Sequence, residues 1–578
     1  MFVIGTMLAV CLCVAAALQP TSQPTRARVS LSVNPSPSAL QSLAKVAKDD
    51  IRGIVSTDAE VPLMPESAFC IGTAFRKWLG SDEPIVVGCD PRTSSDAILA
   101  AFCSGAGAYD VGLSTTPAML ESLLEPASTT VGAVMVTASH LPPQYNGLKL
   151  FSRQLKRGLN KREVAEVMAL AIEIGEIGTT PVITTRSSIA TVDGFMTAYI
   201  EKLRAAVRYA AADERARPLE GMIICVNPGS GSGGFFATQV LEPLGADTSA
   251  SVNLEPDGSF PAHMPNPEDD AHVRATIAAV AASAADVGVM LDTDVDRCGL
   301  IDGCTSPPEP VNRNRLIALC AMDALEANNG RGVIVTDSVT SKGMPNFISQ
   351  RGGSHDRYKM GYRNVIDRAA ETTPEPALLA IETSGHSAWR DNAFVDDGCY
   401  TAARLIGRLA RERRESGNSI VTIEGGKGFS GGDATRDPSP AVGGSSPMAS
   451  RLGLLELLGG SLEEPIESIK VKMTVGGGLG AVPDAEAALC AALGRAAEAT
   501  GGWAIEAINH DGLRCAVGDS GWLIIRGSLH EPSVSVQTES DDVGGTARIC
   551  ATLLEFVLQG GECEAAGMDV QPLRTAAA

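Results

Sequence analysis

The sequence predicts an α/β fold: three similar mixed-sheet α/β domains followed by a smaller α+β C-terminal domain. Three observations lead there. An apolar, β-rich run ending in a polar turn occurs three times, at Ile85 to Gly88 before Asp90, Met222 to Val226 before Asn227, and Val333 to Val335 before Asp337. Such short runs, followed by turns and helical stretches, are the pattern of buried strands in α/β sheets. Between them lie Ala- and Leu-rich helical stretches, among them Arg274 to Ala284 and Ala402 to Arg413, so strands alternate with helices as α/β domains require. Finally, 578 residues are too many for one hydrophobic core, and at about 150 residues per domain they divide into three or four.

Along the chain, residues 1–48 differ in composition from the remainder. Phe2 to Leu18 is uncharged and apolar, and the first acidic residue is Asp49. The run is short for a bilayer span and ends in small residues, so a cleavable secretory signal is expected rather than an anchor. Residues 19–48 carry Arg26, Arg28, Lys45 and Lys48 among serines, the composition of a transit segment. Together they read as a two-part plastid address, with plain secretion as the alternative. No stable membrane association is expected after processing. The absence of an Asn-x-Ser/Thr acceptor lacking proline agrees with the plastid reading.

The domains are then expected at 49–200, 201–311, 312–460 and 461–578. The third ends in Gly425 to Ser450, a Gly-, Ser- and Pro-rich stretch that reads as a linker or long loop. In the fourth, Ser468 to Met473 alternates as a strand does and Gly521 to Ile525 leads into a polar loop. With 47 basic against 68 acidic residues, the net charge of −21 provides no broad positive field and excludes a nucleic-acid partner. The 14 cysteines show no Cys-x-x-Cys pair. Cys298 and Cys304, the closest pair in the mature region, are too few ligands for a zinc site.

Two loops carry chemistry. Thr137-Ala138-Ser139-His140 follows the apolar run Val131 to Val136 and precedes Pro142, Pro143, Asn146, Gly147 and Lys149, so a serine hydroxyl stands on a loop at a strand end. After Val289-Met290-Leu291, the segment Asp292-Thr293-Asp294-Val295-Asp296-Arg297 places three carboxylates at alternating positions. In an extended chain these share one side, where they repel unless a hard divalent cation such as Mg²⁺ neutralises them.

The Asp-x-Asp-x-Val portion by itself is similar to the nucleophile loop of haloacid-dehalogenase-like phosphatases, in which Asp292 would be phosphorylated. Taken with the serine loop, the T-A-S-H-x-P-P-x-Y-N-G-x-K and D-x-D-x-D-R segments resemble the α-D-phosphohexomutase family. Further loops extend the likeness over about residues 45 to 563: Asp50 to Gly53, Gly88 to Arg92, Asp257 to Phe260, Pro265 to Pro267, Lys359 to Gly361, Glu382 to His386 and Arg526 to Pro532. The sequence departs from the family pattern at Ile381, where Gly is frequent, and at Gly527, Leu529 and His530 in the last loop.

The resemblance implies four domains around a central cleft. It also implies a phosphoglucomutase or phosphomannomutase type of intramolecular phosphotransferase that interconverts hexose 1-phosphate and hexose 6-phosphate through a phosphoserine and a 1,6-bisphosphate. Ser139 would carry the phosphoryl group, and Asp292, Asp294 and Asp296 would hold Mg²⁺ together with Ser139. Lys149, His386 and Arg52 would handle protons and charge. His140, Arg297, Lys359, Glu382, Ser384, His386, Arg526 and Ser528 would bind substrate, with hexose 1,6-bisphosphate as activator. Glucose or mannose phosphate is the expected substrate. Phosphoglucosamine mutase activity, a phosphoaspartyl phosphatase and a sugar-phosphate binding protein without turnover are the competing readings.

Overall fold

A computed structural model describes residues 37–178, 181–417, 451–528 and 531–578. The chain divides into two compact units. Of the described residues, one holds those up to Asn312 with Ser384–His386 and those within Val395–Leu457; the other holds Arg313–Thr383, Ser387–Phe394 and those within Leu458–Ala578.

The first unit begins with helix α1 (Pro37–Val46), strand β1 (Ile51–Ile54), α2 (Pro65–Leu79), β2 (Ile85–Cys89), α3 (Ser95–Ala106), β3 (Tyr109–Leu113), α4 (Thr116–Leu124), β4 (Gly132–Val136), β5 (Tyr145–Ser152), β6 (Arg157–Gly158) and α5 (Lys161–Glu176). The strands form one sheet in the order β1-β5-β4-β2-β3, with β6 on β5. β2 runs parallel to β3 and β4, while β5 is antiparallel to β1 and β4. Full burial of β2 and β4 explains their unbroken apolar sequence. Helix α1 corrects the expected leader boundary at 48. Leu40 and Leu43 are fully buried in the core shared with Ile51, Leu63 and Phe75, contributing about 2 kcal/mol each, so the folded body already includes residue 37.

Next come α6 (Met196–Ala211), β7 (Ile224–Asn227), α7 (Asp270–Ser283), β8 (Val287–Leu291), β9 (Cys298–Asp302) and β10 (Glu309–Val311), with sheet order β10-β9-β8-β7. The expected boundary at 200/201 falls inside α6. The Asp269 carboxylate caps α7 by accepting from the Ala271 and His272 amides.

The second unit opens with α8 (Arg313–Ala327), β11 (Val333–Thr336), α9 (Gly343–Gln350), β12 (Ser354–Arg357), α10 (Tyr362–Ala370), β13 (Leu379–Ile381) and β14 (Ser387–Trp389), in the sheet order β12-β11-β13-β14. Ile381 is a buried strand residue opposite Thr336 and Ser387, so its departure from Gly fills core. The chain then returns to the first unit as α11 (Gly398–Glu415), which packs on α6, β8 and β9. Within the expected 312–460 segment this helix thus packs with the first unit: Gly407 of α11 lies so close to α6 that a Cβ would sit 2.6 Å from the Val207 carbonyl oxygen. The expected linker, Gly425 to Ser450, lies outside the described residues.

The C-terminal region comprises β15 (Glu467–Thr474), α12 (Val482–Ala499), β16 (Trp503–Ile505), β17 (Leu513–Val517), β18 (Gly521–Gly527), β19 (Ser533–Ser540), α13 (Gly545–Gly560), α14 (Glu562–Ala565) and α15 (Gln571–Ala576). Its sheet, β15-β19-β18-β17-β16, is antiparallel throughout, the α+β layout expected. Among the described residues no helix is long and apolar enough to cross a membrane.

Candidate active site

The two chemical loops leave the carboxyl ends of β4 and β8, the position where open α/β sheets place ligands. They meet directly: Ser139 Oγ donates to Asp292 Oδ2 at 3.0 Å. Both loops carry a non-glycine residue in the left-handed region, Ser139 at φ 52° and Val295 at φ 72°. Such a conformation is costly, most of all for β-branched Val295, and is held in place by its surroundings. The three aspartates therefore converge through a tight turn, closed by the Val295 amide on the Asp292 carbonyl, and not along an extended strand as their spacing suggested. A glycine-rich loop supports that turn. Ser232 N donates to Thr293 O at 2.8 Å, and a Cβ at Gly231 would lie 2.9 Å from Thr293 Cα.

Asp292, Asp294 and Asp296 are fully buried, with donor atoms of all three within 4.8 Å of one another. At that separation each like-charged pair repels by roughly 3 kcal/mol at an effective dielectric of about 20. One cation is built in. Lys149 Nζ, on β5, donates to Asp294 Oδ2 at 2.7 Å and Asp296 Oδ2 at 2.5 Å, and Thr116 Oγ1 also donates to Asp294 Oδ2 at 2.6 Å. The opposite oxygens, Asp294 Oδ1 and Asp296 Oδ1, are buried without a hydrogen-bond partner. Three converging carboxylates, two of whose oxygens accept no hydrogen bond, suit a hard divalent cation. Burial, with Asp296 and Asp294 alongside, pushes the Asp292 carboxyl well above its ordinary range. Against the cost of burial, Lys149, His386 and Arg297 hold Asp296 below it.

Arg297 Nε lies 3.3 Å from Asp292 Oδ2, and one terminal nitrogen lies 3.3 Å from Ser139 Oγ. The same guanidinium contacts His140 Nδ1. Its charge, followed by burial, keeps the His140 ring well below its usual pKa. Arg52, on β1, pairs with Asp50 at 2.7 Å and donates to the Ala138 carbonyl at 3.1 Å. His386 reaches this cluster because Gly385, at φ 95°, lets the backbone press on β9, where a Cβ would lie 2.6 Å from Cys298 O. His386 Nδ1 bonds Asp396 Oδ2 at 2.6 Å and lies 3.7 Å from Asp296 Oδ1. Burial disfavours the charged ring, but Asp396 and Asp296 raise it to about 9.

Sequence reasoning missed three participants here. Thr116 and Asp396 gave no local signal. Arg92 did, within the strand-end segment Gly88 to Arg92, but only its contacts define its task. Its guanidinium donates to the carbonyl oxygens of Ser139, Leu141, Pro142 and Tyr145 at 2.5, 2.6, 2.7 and 3.0 Å, and is itself held by Asp90 Oδ2 at 3.0 Å. Cys298 is buried in β9, Cys304 Sγ contacts Arg413 at 3.1 Å, and the metal-capable groups among the described residues contain no cysteine.

The second unit gathers a separate set. Glu382 is buried and its Oε1 accepts from Gly361 N at 2.6 Å, which joins the Lys359–Gly361 loop to the expected sugar-reading carboxylate. Lys359 is half-buried on that loop. Thr383 donates through its amide and hydroxyl to Asp337 Oδ2, both at 2.7 Å. Arg526 closes β18, and the Ser528 hydroxyl accepts from Glu531 N at 3.2 Å. Leu529 and His530 lie outside the described residues. Ser384 belongs with His386 in the first unit.

Comparison with known proteins reinforces this geometry. "Phosphoglucomutase/phosphomannomutase, alpha/beta/alpha" domains I, II and III match residues 44–167, 197–305 and 312–422, in that order. A phosphomannomutase/phosphoglucomutase from Pseudomonas syringae pv. tomato is 32% identical over 377 residues, covering 63% of this chain and 73% of that protein.

The chain belongs to the phosphoglucomutase/phosphomannomutase family.

Other family members align similarly. A phosphoglucomutase/phosphomannomutase from Thermococcus kodakarensis is 30% identical over 63% of this chain and 77% of its own length. The crystal structure of a phosphoglucomutase/phosphomannomutase family protein from Burkholderia thailandensis shares the fold, with TM-score 0.67 and 23% identity over 91% of this chain and 98% of that one. As a member of this family the protein is an isomerase that moves phosphate intramolecularly.

Proposed function

We propose that the protein interconverts the 1- and 6-phosphates of glucose, mannose or both, with Ser139 as phosphoryl carrier and Mg²⁺ on the aspartate turn. The observation that carries the reading is the 3.0 Å contact between the Ser139 hydroxyl and Asp292, beside two carboxylate oxygens that lack donors. Asp292, Asp294 and Asp296 would hold the cation together with a Ser139 phosphate oxygen. Bound there, Mg²⁺ supplies charge neutralisation for the transferring phosphoryl oxygens.

In the first half-reaction the P–O bond to Ser139 Oγ breaks as one forms to the free sugar hydroxyl, giving a hexose 1,6-bisphosphate. After reorientation the other phosphate returns to Ser139. Added hexose 1,6-bisphosphate primes the unphosphorylated enzyme by the same second step. Arg297 and Arg52 keep positive charge beside the serine loop throughout. Lys149 commits its ammonium to Asp294, Asp296 and Thr116 and balances the turn. That leaves His386, which Asp396 and Asp296 keep protonated at neutral pH, to give a proton to the departing serine oxygen and to regain one from the sugar hydroxyl. Glu382 and Ser384 read sugar hydroxyls, while Lys359, Arg526 and Ser528 grip the phosphate that is not reacting.

The test compares wild type and Ser139→Ala with glucose, mannose and glucosamine 1-phosphates, Mg²⁺ and the bisphosphate. Wild type should isomerise at least one, should carry phosphate on the Ser139 peptide by mass spectrometry, and should lose activity in EDTA. Equal turnover by both proteins overturns the reading. The leader is assigned to plastid delivery on its two-part composition, and a reporter fused behind residues 1–36 that stays in the secretory pathway would refute that.

A further inference from the structure

Asp511 lies on the connection between β16 and β17, and the chain there is pinned by a close approach. Gly512 has φ 63°, and a Cβ on it would stand 1.9 Å from the Ile525 carbonyl oxygen, next to Arg526. Only glycine fits that position, so Asp511 is pressed alongside the start of the expected phosphate loop. One of its oxygens, Oδ2, gathers three neighbours. It accepts from the Ser338 hydroxyl at 3.0 Å and from the Met360 amide at 3.3 Å, and lies 3.6 Å from Arg526 Nε. Arg526 Nε is buried and has no hydrogen-bond partner, so this carboxylate is what faces it. The next amide along, Gly361 N, donates to Glu382 Oε1 at 2.6 Å, and the Met360 carbonyl is held by Asn364 Nδ2 at 2.7 Å.

We infer that Asp511 is a positioning residue that ties the phosphate-gripping Arg526 to the loop carrying Lys359 and bracing Glu382, so that the phosphate and sugar contacts keep one spacing. Anchoring the guanidinium by its Nε edge directs the two terminal nitrogens elsewhere; among the described residues no partner holds them, and a bidentate phosphate contact needs that edge. Asp511 touches neither reacting atoms nor the aspartate turn. Its effect is on substrate affinity: a loosened tether costs the ordering of two loops each time a phosphosugar binds. The inference rests on the mutase reading for the roles of Arg526 and Glu382.

The experiment measures kcat and KM of wild type, Asp511→Asn and Ser338→Ala with glucose 1-phosphate, Mg²⁺ and bisphosphate, alongside thermal unfolding. Asp511→Asn keeps the shape and removes the charge facing Arg526. It should raise KM roughly tenfold with kcat changed less than about threefold. Ser338→Ala, which loosens the same carboxylate, should raise KM in the same direction but less. In a double-mutant cycle, Asp511→Asn should add little to the KM defect of Arg526→Lys, because both act through one contact. An inactive wild type would sink the mutase reading itself. An active wild type whose KM is unmoved in both single variants, or additive defects in the cycle, would overturn the role given to Asp511. If Asp511→Asn does not fold, an unchanged KM in Ser338→Ala decides against it.

Discussion

Arg92 offers the sharpest test of how the serine loop is held. Its side chain is fully buried, and its guanidinium satisfies four carbonyl oxygens of residues 139–145 while bonding Asp90. In Arg92→Lys the ammonium is a compact donor on a flexible stem and can meet about one of those carbonyls; the Pro142 carbonyl keeps the Tyr145 amide, so about two are left without a donor. Each unpaired buried acceptor costs about 1–3 kcal/mol. Taking the low end because some of these carbonyls are only partly buried, the loop loses about 2 kcal/mol against local opening, a factor of roughly 30 in the opening equilibrium. The amides of Ser139, Leu141 and Tyr145 are bonded within the loop, to Thr137 Oγ1, Ala138 O and Pro142 O, and report that opening. Hydrogen exchange followed by mass spectrometry should show the 137–147 peptide exchanging roughly 30-fold faster in the variant, with C-terminal peptides unchanged. Exchange within threefold of wild type would refute the reasoning.

Lys149→Met removes the ammonium from the aspartate turn and should lower metal-free stability by roughly 3–5 kcal/mol. Calorimetry should then show a larger upward Tm shift on adding Mg²⁺ than in wild type, and equal shifts would contradict the charge balance described. Asp397 caps α11 through the Tyr400 amide and accepts from the Tyr199 hydroxyl at 2.7 Å, and burial raises its pKa to about 7. A folded pKa above the unfolded one gives stability that is complete below about pH 4 and is lost as pH rises through 7. Urea unfolding from pH 5 to 8 should therefore show wild type losing ground to Asp397→Asn, and a pH-independent difference would exclude that linkage. Gly258→Ala would place a Cβ 2.2 Å from the Pro91 carbonyl and 2.5 Å from Arg92 Cα. It should destabilise by about 2 kcal/mol and speed exchange of the 137–147 peptide as Arg92→Lys does; a neutral urea midpoint would show that the backbones can part.

Elements whose cause is local were legible in the sequence. β2, β4, β8, β11 and β18 are continuous apolar runs because both faces are buried, and such a run needs no partner to be recognised. The helices at Arg274 to Ala284 and Ala402 to Arg413 match α7 and α11 for the same reason of composition. Assignments that failed depended on distant surfaces. Nothing within Pro37–Val46 says that Leu40 and Leu43 find a core formed by residues 51–183, so a serine-rich, acid-free segment reads as leader up to Lys48. Likewise α11 follows β14 in sequence but packs on α6, some 190 residues earlier. An amphipathic helix shows that it has a buried face and not which sheet will cover it.

The site divides along the same line, and the division says something about its chemistry. Ser139 and the three aspartates could be read because each loop concentrates its reactive groups within a few residues at a strand exit. The groups that make them usable are scattered. Lys149 reaches Asp296 across 147 positions, Thr116 reaches Asp294 across 178, and Ser139 meets Asp292 across 153. Left as the sequence presents them, three buried carboxylates within 4.8 Å of one another would be an electrostatic conflict. The fold resolves it by bringing Lys149 and Arg297 to the same atoms while leaving two oxygens without donors. Complete compensation by protein cations would leave no reason for a metal to bind, and none at all would cost several kcal/mol on folding. The partial balance, Lys149, Arg297 and the His386 ring that Asp396 shares against three carboxylates, keeps the turn stable while two of its oxygens accept no hydrogen bond and stay attractive to a divalent cation.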